Sequence, residues 1–429
     1  MMNILIVGSG IAGPALAYWL SINPKHTITI LEKSASLQPH GQNVDIQGSA
    51  VTCIKKMGLM PQVEHYNTKE LGTRFINSQG TPIAPFPIKE GGSASPTSEY
   101  EILRGDLAKL LHQATSSQSN VTYLFNTTIK QILQNDSSCV KVLLSDGTTR
   151  TYDLLIAADG QWSKTRSLVF PAQDVSIEHK GMYAAYFTIP RLPSDAPWWD
   201  IFVAKGSRTV ATRPDPHGTT RAMFTFMPST PAQTLAWDKA SRAGRKAQEE
   251  LVVQEFADAG WASKRLVDAM VTAPDFYFHA INQVKMKRWS RNRVICLGDA
   301  AFCPSPCTGM GTSLAVLGAY VLAGELSCVD EPASSTTFDS LTEALTSYEA
   351  KFRPFVVQSQ VMSRFVPGFM HPGSAWKRTI LHGFVKLVSM VLRWEWVGPW
   401  LGDTESRDDG FKLPEYAAFE SVIAKSLRV

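Results

Sequence analysis

Gly8, Gly10 and Gly13 stand in the pattern G-x-G-x-x-G, and the acid Glu32 follows about twenty residues later. These residue types at this spacing suit a pyrophosphate held between two nucleosides. Gly8 permits a tight turn, Gly10 lets the backbone approach the phosphates, and Gly13 lets a helix pack on a strand. Ala12, inside the same turn, belongs with them as a cofactor-binding position. The Glu32 carboxylate can accept hydrogen bonds from ribose hydroxyls and would repel a 2′-phosphate. The pattern therefore suits FAD or NAD rather than NADP.

A second constellation lies in "VICLGDAAFCPSPCTGMGTSLAVLGAY", Val294 to Tyr320. An apolar run ends on Asp299. Pro304, Pro306, Gly309 and Gly311 follow before an apolar segment resumes near Thr312. Asp299 is suited to hold ribityl or ribose hydroxyls. The prolines would stiffen a loop beneath a flavin ring, and the glycines would let backbone amides reach the ring's edge. A helix starting near Thr312 would put its positive end where the reduced ring is negative.

Strands and helices must bring these groups together. Ile4–Val7 reads as a strand, Pro14–Leu20 as a helix, and "HTITILEK" as a second strand ending at Glu32, which makes a βαβ unit. Asp45, in the polar loop "GQNVDIQGSA", is either a turn residue or a neighbour of the cofactor ring. Arg104 opens a helix in "LRGDLAKLLHQA", either solvated or facing phosphate. Asp159 ends the buried strand Leu154–Ala158. Residues 171–280 differ in texture: "GMYAAYFTIP", "PWWDIF", "RAMFTFMP" and "DFYFHAI" read as antiparallel strands with alternating faces. A mixed sheet with an apolar face would suit a flat, ring-bearing ligand. Tyr186 lies mid-strand and shares a face with Ala184 and Thr188. Arg208, Arg213, Arg221 and His217 are candidate partners for a substrate, and ordinary core or surface residues otherwise.

The chain has 429 residues, room for two or three domains. Its 44% hydrophobic and 19% charged content is that of a soluble globular protein. A net charge of +4 without a Lys/Arg cluster gives no case for a nucleic-acid partner. Among six cysteines only Cys303 and Cys307 are close, with no histidine at ligand spacing. We therefore expect no metal site, and reduced thiols in a cytoplasmic protein. Residues 1–24 are uncharged, but a signal peptide needs a positive n-region. No segment reads as long and apolar enough to span a bilayer. "TILHGFVKLVSMVLRWEWVGPWL" reads as an amphipathic helix, for which docking on the body is favoured and a membrane surface is the alternative.

GSGIAG with Glu32, "LRGDL", "ADGQWSKTR" and "GDAAFCPSPCTGMGTSLA", in this order, resemble the class A FAD-dependent aromatic hydroxylases. Within that class they look like the tetracycline-modifying monooxygenases and their fungal secondary-metabolite relatives. The resemblance covers residues 1 to about 355. It implies an α/β fold: a Rossmann-like FAD-binding domain, an inserted mixed β-sheet substrate domain and a C-terminal helical segment. The expected divisions are 1–170, 171–280, 281–355 and 356–429, with 71–99 as a candidate to join the substrate sheet.

The resemblance further implies non-covalent FAD, NADPH or NADH as reductant, and dioxygen and an aromatic small molecule as the other partners. Glu32 would bind the adenosine ribose with Lys33 beside it. Arg104 would contact the ribityl or pyrophosphate portion, and Asp159 would serve both FAD and the passing NADPH. Asp299 would bind the ribityl chain, and Pro306, Gly309, Gly311 and Thr312 would line the ring. Tyr186, Arg213 and Arg221 are the substrate-facing catalytic candidates. Two positions depart from the family: Phe302 stands where histidine is usual, and Ser313 where asparagine is usual. The implied cycle reduces FAD, forms a flavin C4a-hydroperoxide and delivers one oxygen atom to an electron-rich ring. A flavin reductase or dehydrogenase, epoxidation, Baeyer–Villiger insertion, and a non-catalytic nucleotide-binding scaffold are the alternatives.

Overall fold

Three short apolar segments, "NILIV", "TITIL" and "LLIA", are rich in β-branched or aliphatic residues and are almost wholly buried. Burial of both faces is what a central parallel sheet requires. They are the strands Asn3–Val7, Thr27–Leu31 and Leu154–Ala157 of a six-stranded sheet. The order across it is Ser290–Arg291, Val294–Cys296, Leu154–Ala157, Asn3–Val7, Thr27–Leu31, Val121–Leu124. All neighbours run parallel except the first pair, a short antiparallel hairpin. This computed structural model describes residues 1–38, 41–88, 99–328, 338–362, 365–392 and 409–420.

The register aligns the ends of four central strands. Val7 stands beside Ala157 and Leu31, and Ala157 beside Cys296. Glu32, Gly8, Asp159 and Asp299, each a residue or a few further on, therefore emerge along one edge of the sheet. This is where ligands bind in open α/β sheets. The helices Ala12–Ser21 and Gly311–Ser327 start from that edge. The second buries nearly every side chain, and small residues let its neighbours close in. A Cβ at Gly324 would stand 2.1 Å from the Tyr416 ring, so the C-terminal segment lies directly on this helix.

A seven-stranded mixed sheet forms the second body. Its order is Tyr277–Met286, Val175–Pro190, Thr219–Phe226, Arg208–Pro214, Trp199–Val203, Gly72–Ile76, Pro82–Pro87. Only Trp199–Val203 and Gly72–Ile76 pair in parallel. Strands 72–76 and 82–87 thus lie in this sheet, while Tyr277–Met286 runs through the division expected at 280–281. Strict alternation sorts the residues onto two faces. Phe187, Phe202, Phe224 and Phe226 pack beneath the helices Pro231–Ser241, Arg245–Phe256 and Ser263–Met270. The opposite face carries one cross-strand rung: Tyr186, Met223, Ala211, Ile201, Phe75 and Ala84. Leu381 and Val385 of the helix Ala375–Val391 cover the far end of that rung. The helix therefore docks on the body. The tryptophan-rich end expected beyond Leu392 lies outside the described residues.

Residues 409–420 return to the first body. Asp409 accepts from the Ser49 backbone N–H at 2.9 Å and the Ser49 hydroxyl at 2.9 Å. It caps the helix Ser49–Lys56, a role taken here by a residue 360 positions away.

Candidate functional site

The glycines of the first turn are required by space. A Cβ at Gly13 would stand 2.1 Å from the Gly8 carbonyl oxygen, and one at Gly8, where φ is +111°, would stand 2.4 Å from the Ala158 carbonyl oxygen. The turn is wedged between its own helix and the next strand end. Gly10 faces the other way, with the Arg104 guanidinium 3.3 Å from a Cβ built there. That guanidinium makes no hydrogen bond to protein among the described residues, and its side chain is exposed. Ala12 starts the helix Ala12–Ser21, whose first turn has neither a side-chain cap nor an acid. Uncapped N–H groups and an unengaged guanidinium beside a glycine turn fit a pyrophosphate.

Glu32 accepts from the Ser9 backbone N–H at 3.1 Å, the Ser9 hydroxyl at 2.8 Å and the Ser34 backbone N–H at 2.9 Å. Burial opposes its ionisation, but the bonds from Ser34 and Ser9 outweigh it and hold the carboxyl below its ordinary range. A carboxylate offers about four lone-pair sites, so room remains for ribose hydroxyls. Lys33 is exposed next to it. Asp159 is differently employed. It accepts from the Ser163 hydroxyl and from the Thr165 backbone and hydroxyl at 3.1 and 3.0 Å. Its carboxylate closes the turn that leads into the helix Lys164–Val169.

Asp299 is enclosed by protein, yet its side chain stays open to water, as a group on the wall of a deep cleft must. Burial raises its pKa, against the pull of Arg104 and a hydrogen bond with Cys303. Gly311 lies next to it, with a Cβ there 3.9 Å from Asp299 Oδ1. Between them the loop turns through Ser305 at φ +83° and Gly309 at φ +66°. Pro306 lies in the turn, and Thr312 is buried in the first turn of the helix Gly311–Ser327. That helix too lacks a side-chain cap and an acid in its first turn. Asp45 and Gln47 approach Gly309 from a third element, 3.8 and 3.5 Å from a Cβ built there. Ser313, where the family usually has asparagine, accepts the Gln47 backbone N–H at 3.0 Å. Phe302, where histidine is usual, packs among Trp289 and Phe352 with ring centroids 4.8 and 5.6 Å away.

The sheet faces this loop with Tyr186, which is within electrostatic reach of Cys307, Tyr277 and Arg213. Tyr277 is 49% exposed although protein surrounds it, and its pKa is raised chiefly by burial. The ring therefore lines the same cleft.

The family profile described as FAD binding domain matches residues 1–358. The FAD-dependent monooxygenase asL4 of Sarocladium schorii is 34% identical over 97% of this chain and 98% of its own length. Monooxygenase CTB7 of Cercospora beticola is 36% identical over 96% and 97%. The crystal structure of the tetracycline destructase Tet(55) superposes with a TM-score of 0.74 at 29% identity, covering 96% of this chain and 98% of that one. The chain belongs to this family of FAD-dependent monooxygenases.

In this monooxygenase the four basic candidates on or beside the seven-stranded sheet all have protein partners. Arg213 pairs with Glu70 at 2.8 Å and with Glu101, and its guanidinium lies 4.2 Å from the centre of the Trp199 ring. Arg221 pairs with Asp215 and Asp275, both at 3.1 Å. Arg208 bonds Asp258 and the Glu255 carbonyl oxygen, and His217 bonds Asp106 at 2.8 Å. Glu101 also accepts from Thr68 at 2.5 Å and Asn43 at 3.1 Å. Burial, joined by Glu70 and Asp45, outweighs Arg213 and pushes the Glu101 carboxyl up to about 8.

Several residues of this flavoenzyme were not singled out from sequence: Ser9, Gln47, Glu70, Glu101 and Trp199. Gln161 and His279 were also missed; they meet at 2.5 Å beside the Cys303 thiol. Burial pushes His279 down to about 4, which keeps it neutral. Ser9, Gln47 and Gln161 carried a usable signal, since they sit inside the segments GSGIAG, GQNVDIQGSA and ADGQWSKTR.

Proposed function

We propose that the enzyme oxygenates an uncharged, ring-bearing small molecule of secondary metabolism between the sheet face that carries Tyr186 and the loop Pro304–Gly311. NADPH or NADH is the reductant. The observation that carries this reading is the engagement of both central arginines by buried acids, Arg213 by Glu70 and Glu101, Arg221 by Asp215 and Asp275. Neither guanidinium has charge left over for a phenolate or carboxylate, so the substrate enters neutral. A charged substrate would have to break a buried ion pair, at a cost of roughly 3–5 kcal/mol.

Bound FAD supplies the redox chemistry, accepting a hydride and activating dioxygen. Gly8, Gly10, Ala12, Gly13 and Arg104 would hold its pyrophosphate, Glu32 and Lys33 its adenosine ribose, and Asp299 its ribityl hydroxyls. Asp45, Pro306, Gly309, Gly311 and Thr312 would surround the ring, where the helix N-terminus favours negative charge. Asp159 acts at one remove, by holding the turn behind Gly8. Tyr186, Met223 and Tyr277 would exclude water from the reacting atoms.

The test is turnover of an aromatic polyketide panel with NADPH under isotopically labelled dioxygen, read by mass spectrometry. We expect substrate-dependent oxygen uptake and a single labelled oxygen atom in the product. Neutral members should react faster than their carboxylate analogues. Oxygen-independent NADPH oxidation with unlabelled product would make the protein a reductase, and preference for the carboxylates would overturn the neutral-substrate reading.

A further inference from the structure

The helix Ala375–Val391 has two apolar faces, and the sheet uses only one. Leu381 and Val385 are buried on the strands that carry Phe75, Ala84 and Ile201. On the opposite side Trp376, Ile380, Phe384 and Leu387 are 63%, 56%, 52% and 59% exposed. Their spacing of four, four and three residues puts them on one stripe. Phe369, 42% exposed, extends it by edge-on contact with Phe384 at 5.4 Å. Isolated exposed apolar residues are ordinary, but a contiguous aromatic and aliphatic stripe marks a contact surface.

The charges choose the partner. The helix carries Lys377, Arg378 and Lys386 and no aspartate or glutamate. At 100° per residue Lys377 and Lys386 fall on opposite flanks of the stripe. Their stems can lie along it while the ammonium groups reach outward. Apolar centre, basic flanks and an aromatic residue at the helix start are what a bilayer interface with anionic headgroups accepts. A second copy of this chain would bring the same basic flanks together, which disfavours self-association. No helix among the described residues is long and apolar enough to cross a membrane, so the helix would lie on the surface.

We propose that the outer face of the helix Ala375–Val391 docks this enzyme on an anionic lipid bilayer. The inner face of the same helix packs on the sheet face to which Trp199 and Met223 contribute. An apolar substrate dissolved in the bilayer would thus meet the protein about one helix diameter, roughly 10 Å, from that layer.

Vesicle co-sedimentation of the full-length, FAD-bound protein tests this without any turnover. We expect at least about tenfold stronger binding to phosphatidylcholine vesicles containing phosphatidylserine than to phosphatidylcholine alone, weakened by added salt. Phe384→Ser with Leu387→Ser should abolish binding, and Lys377→Glu with Lys386→Glu should remove the preference for anionic lipid. These side chains are exposed, so both variants should keep their visible flavin absorbance, which checks folding. Absence of wild-type binding to either vesicle overturns the proposal. So does binding that neither pair of substitutions alters. A wild-type dimer in light scattering that the apolar pair converts to monomer would assign the stripe to self-association instead.

Discussion

Ser313 and Gln47 are joined by a hydrogen bond of 3.0 Å across 266 residues of sequence. The serine hydroxyl accepts from the glutamine backbone N–H, and the bond fastens the loop of Asp45 and Gln47 against the turn at Gly309. The contact ties together two of the elements that converge on Gly309. In Ser313→Ala the N–H would be left without its acceptor, at a cost of about 1–3 kcal/mol. We expect a folded protein with FAD affinity reduced about tenfold, measured by flavin titration of the apoprotein. Unchanged affinity would mean that the two loops hold their positions independently.

Asp299 should show its role through pH as well as by removal. Burial raises its pKa, and the ionised form is the better acceptor for ribityl hydroxyls. FAD affinity should therefore rise as pH increases through the Asp299 titration, above the ordinary 3.8, and fall as pH decreases through it. Asp299→Asn should lose that slope. Asp299→Ala should bind FAD about ten- to a hundredfold more weakly, the equivalent of about 1.5–3 kcal/mol. A wild-type slope retained in Asp299→Asn would assign the titration to another group.

Gly13→Ala and Gly160→Ala should separate space from conformation. A Cβ at Gly13 meets the Gly8 carbonyl oxygen at 2.1 Å, so the βαβ turn must open. At Gly160 nothing lies within 4 Å, and only the φ of +84° resists a side chain. We expect Gly13→Ala to lose FAD or fail to fold. Gly160→Ala should be soluble and yellow with a loss of about 1 kcal/mol in thermal unfolding. The reverse ranking would contradict the packing of the turn.

The Glu101 carboxyl, pushed up to about 8 against an ordinary 4.5, links folding to pH. Its folded form holds a proton that the unfolded form releases between these values. Its contribution to stability is full below about 4.5 and is lost as pH rises through about 8. The melting temperature of the wild type should fall across that window, and that of Glu101→Gln should fall less. Equal slopes in both proteins would show that Arg213 keeps Glu101 ionised throughout.

Tyr186→Ala should leave folding and FAD content intact while opening the sheet side of the cleft to water. NADPH would still be consumed, with more of it ending as hydrogen peroxide and less as oxygenated product. The readout is peroxide formed per NADPH oxidised, with and without substrate. An unchanged ratio would move the water barrier to Met223 and Tyr277.

The nucleotide side of the enzyme was legible because its constraints are local. Gly8, Gly10, Gly13 and Glu32 lie within one βαβ unit, and Asp299 through Thr312 within one strand–loop–helix unit. Turn sterics and strand alternation act between near neighbours, so residue type and spacing announce them. Alternation alone put Tyr186 with Ala184 and Thr188, on the face that the structure turns toward the loop. Asp159 was legible as the end of a strand, but its engagement by Ser163 and Thr165 depends on how that turn closes.

The sequence by itself determined the fold class and the cofactor. What only the tertiary structure decided is how the arginines of the seven-stranded sheet are paired. Arg213 finds Glu70 and Glu101 at 143 and 112 residues' distance in the chain, and Asp409 caps a helix 360 residues away. Ion pairing follows through-space distance and burial. Neither is encoded in spacing along the chain, so arginines that read as free for a substrate are neutralised only once the strands are paired.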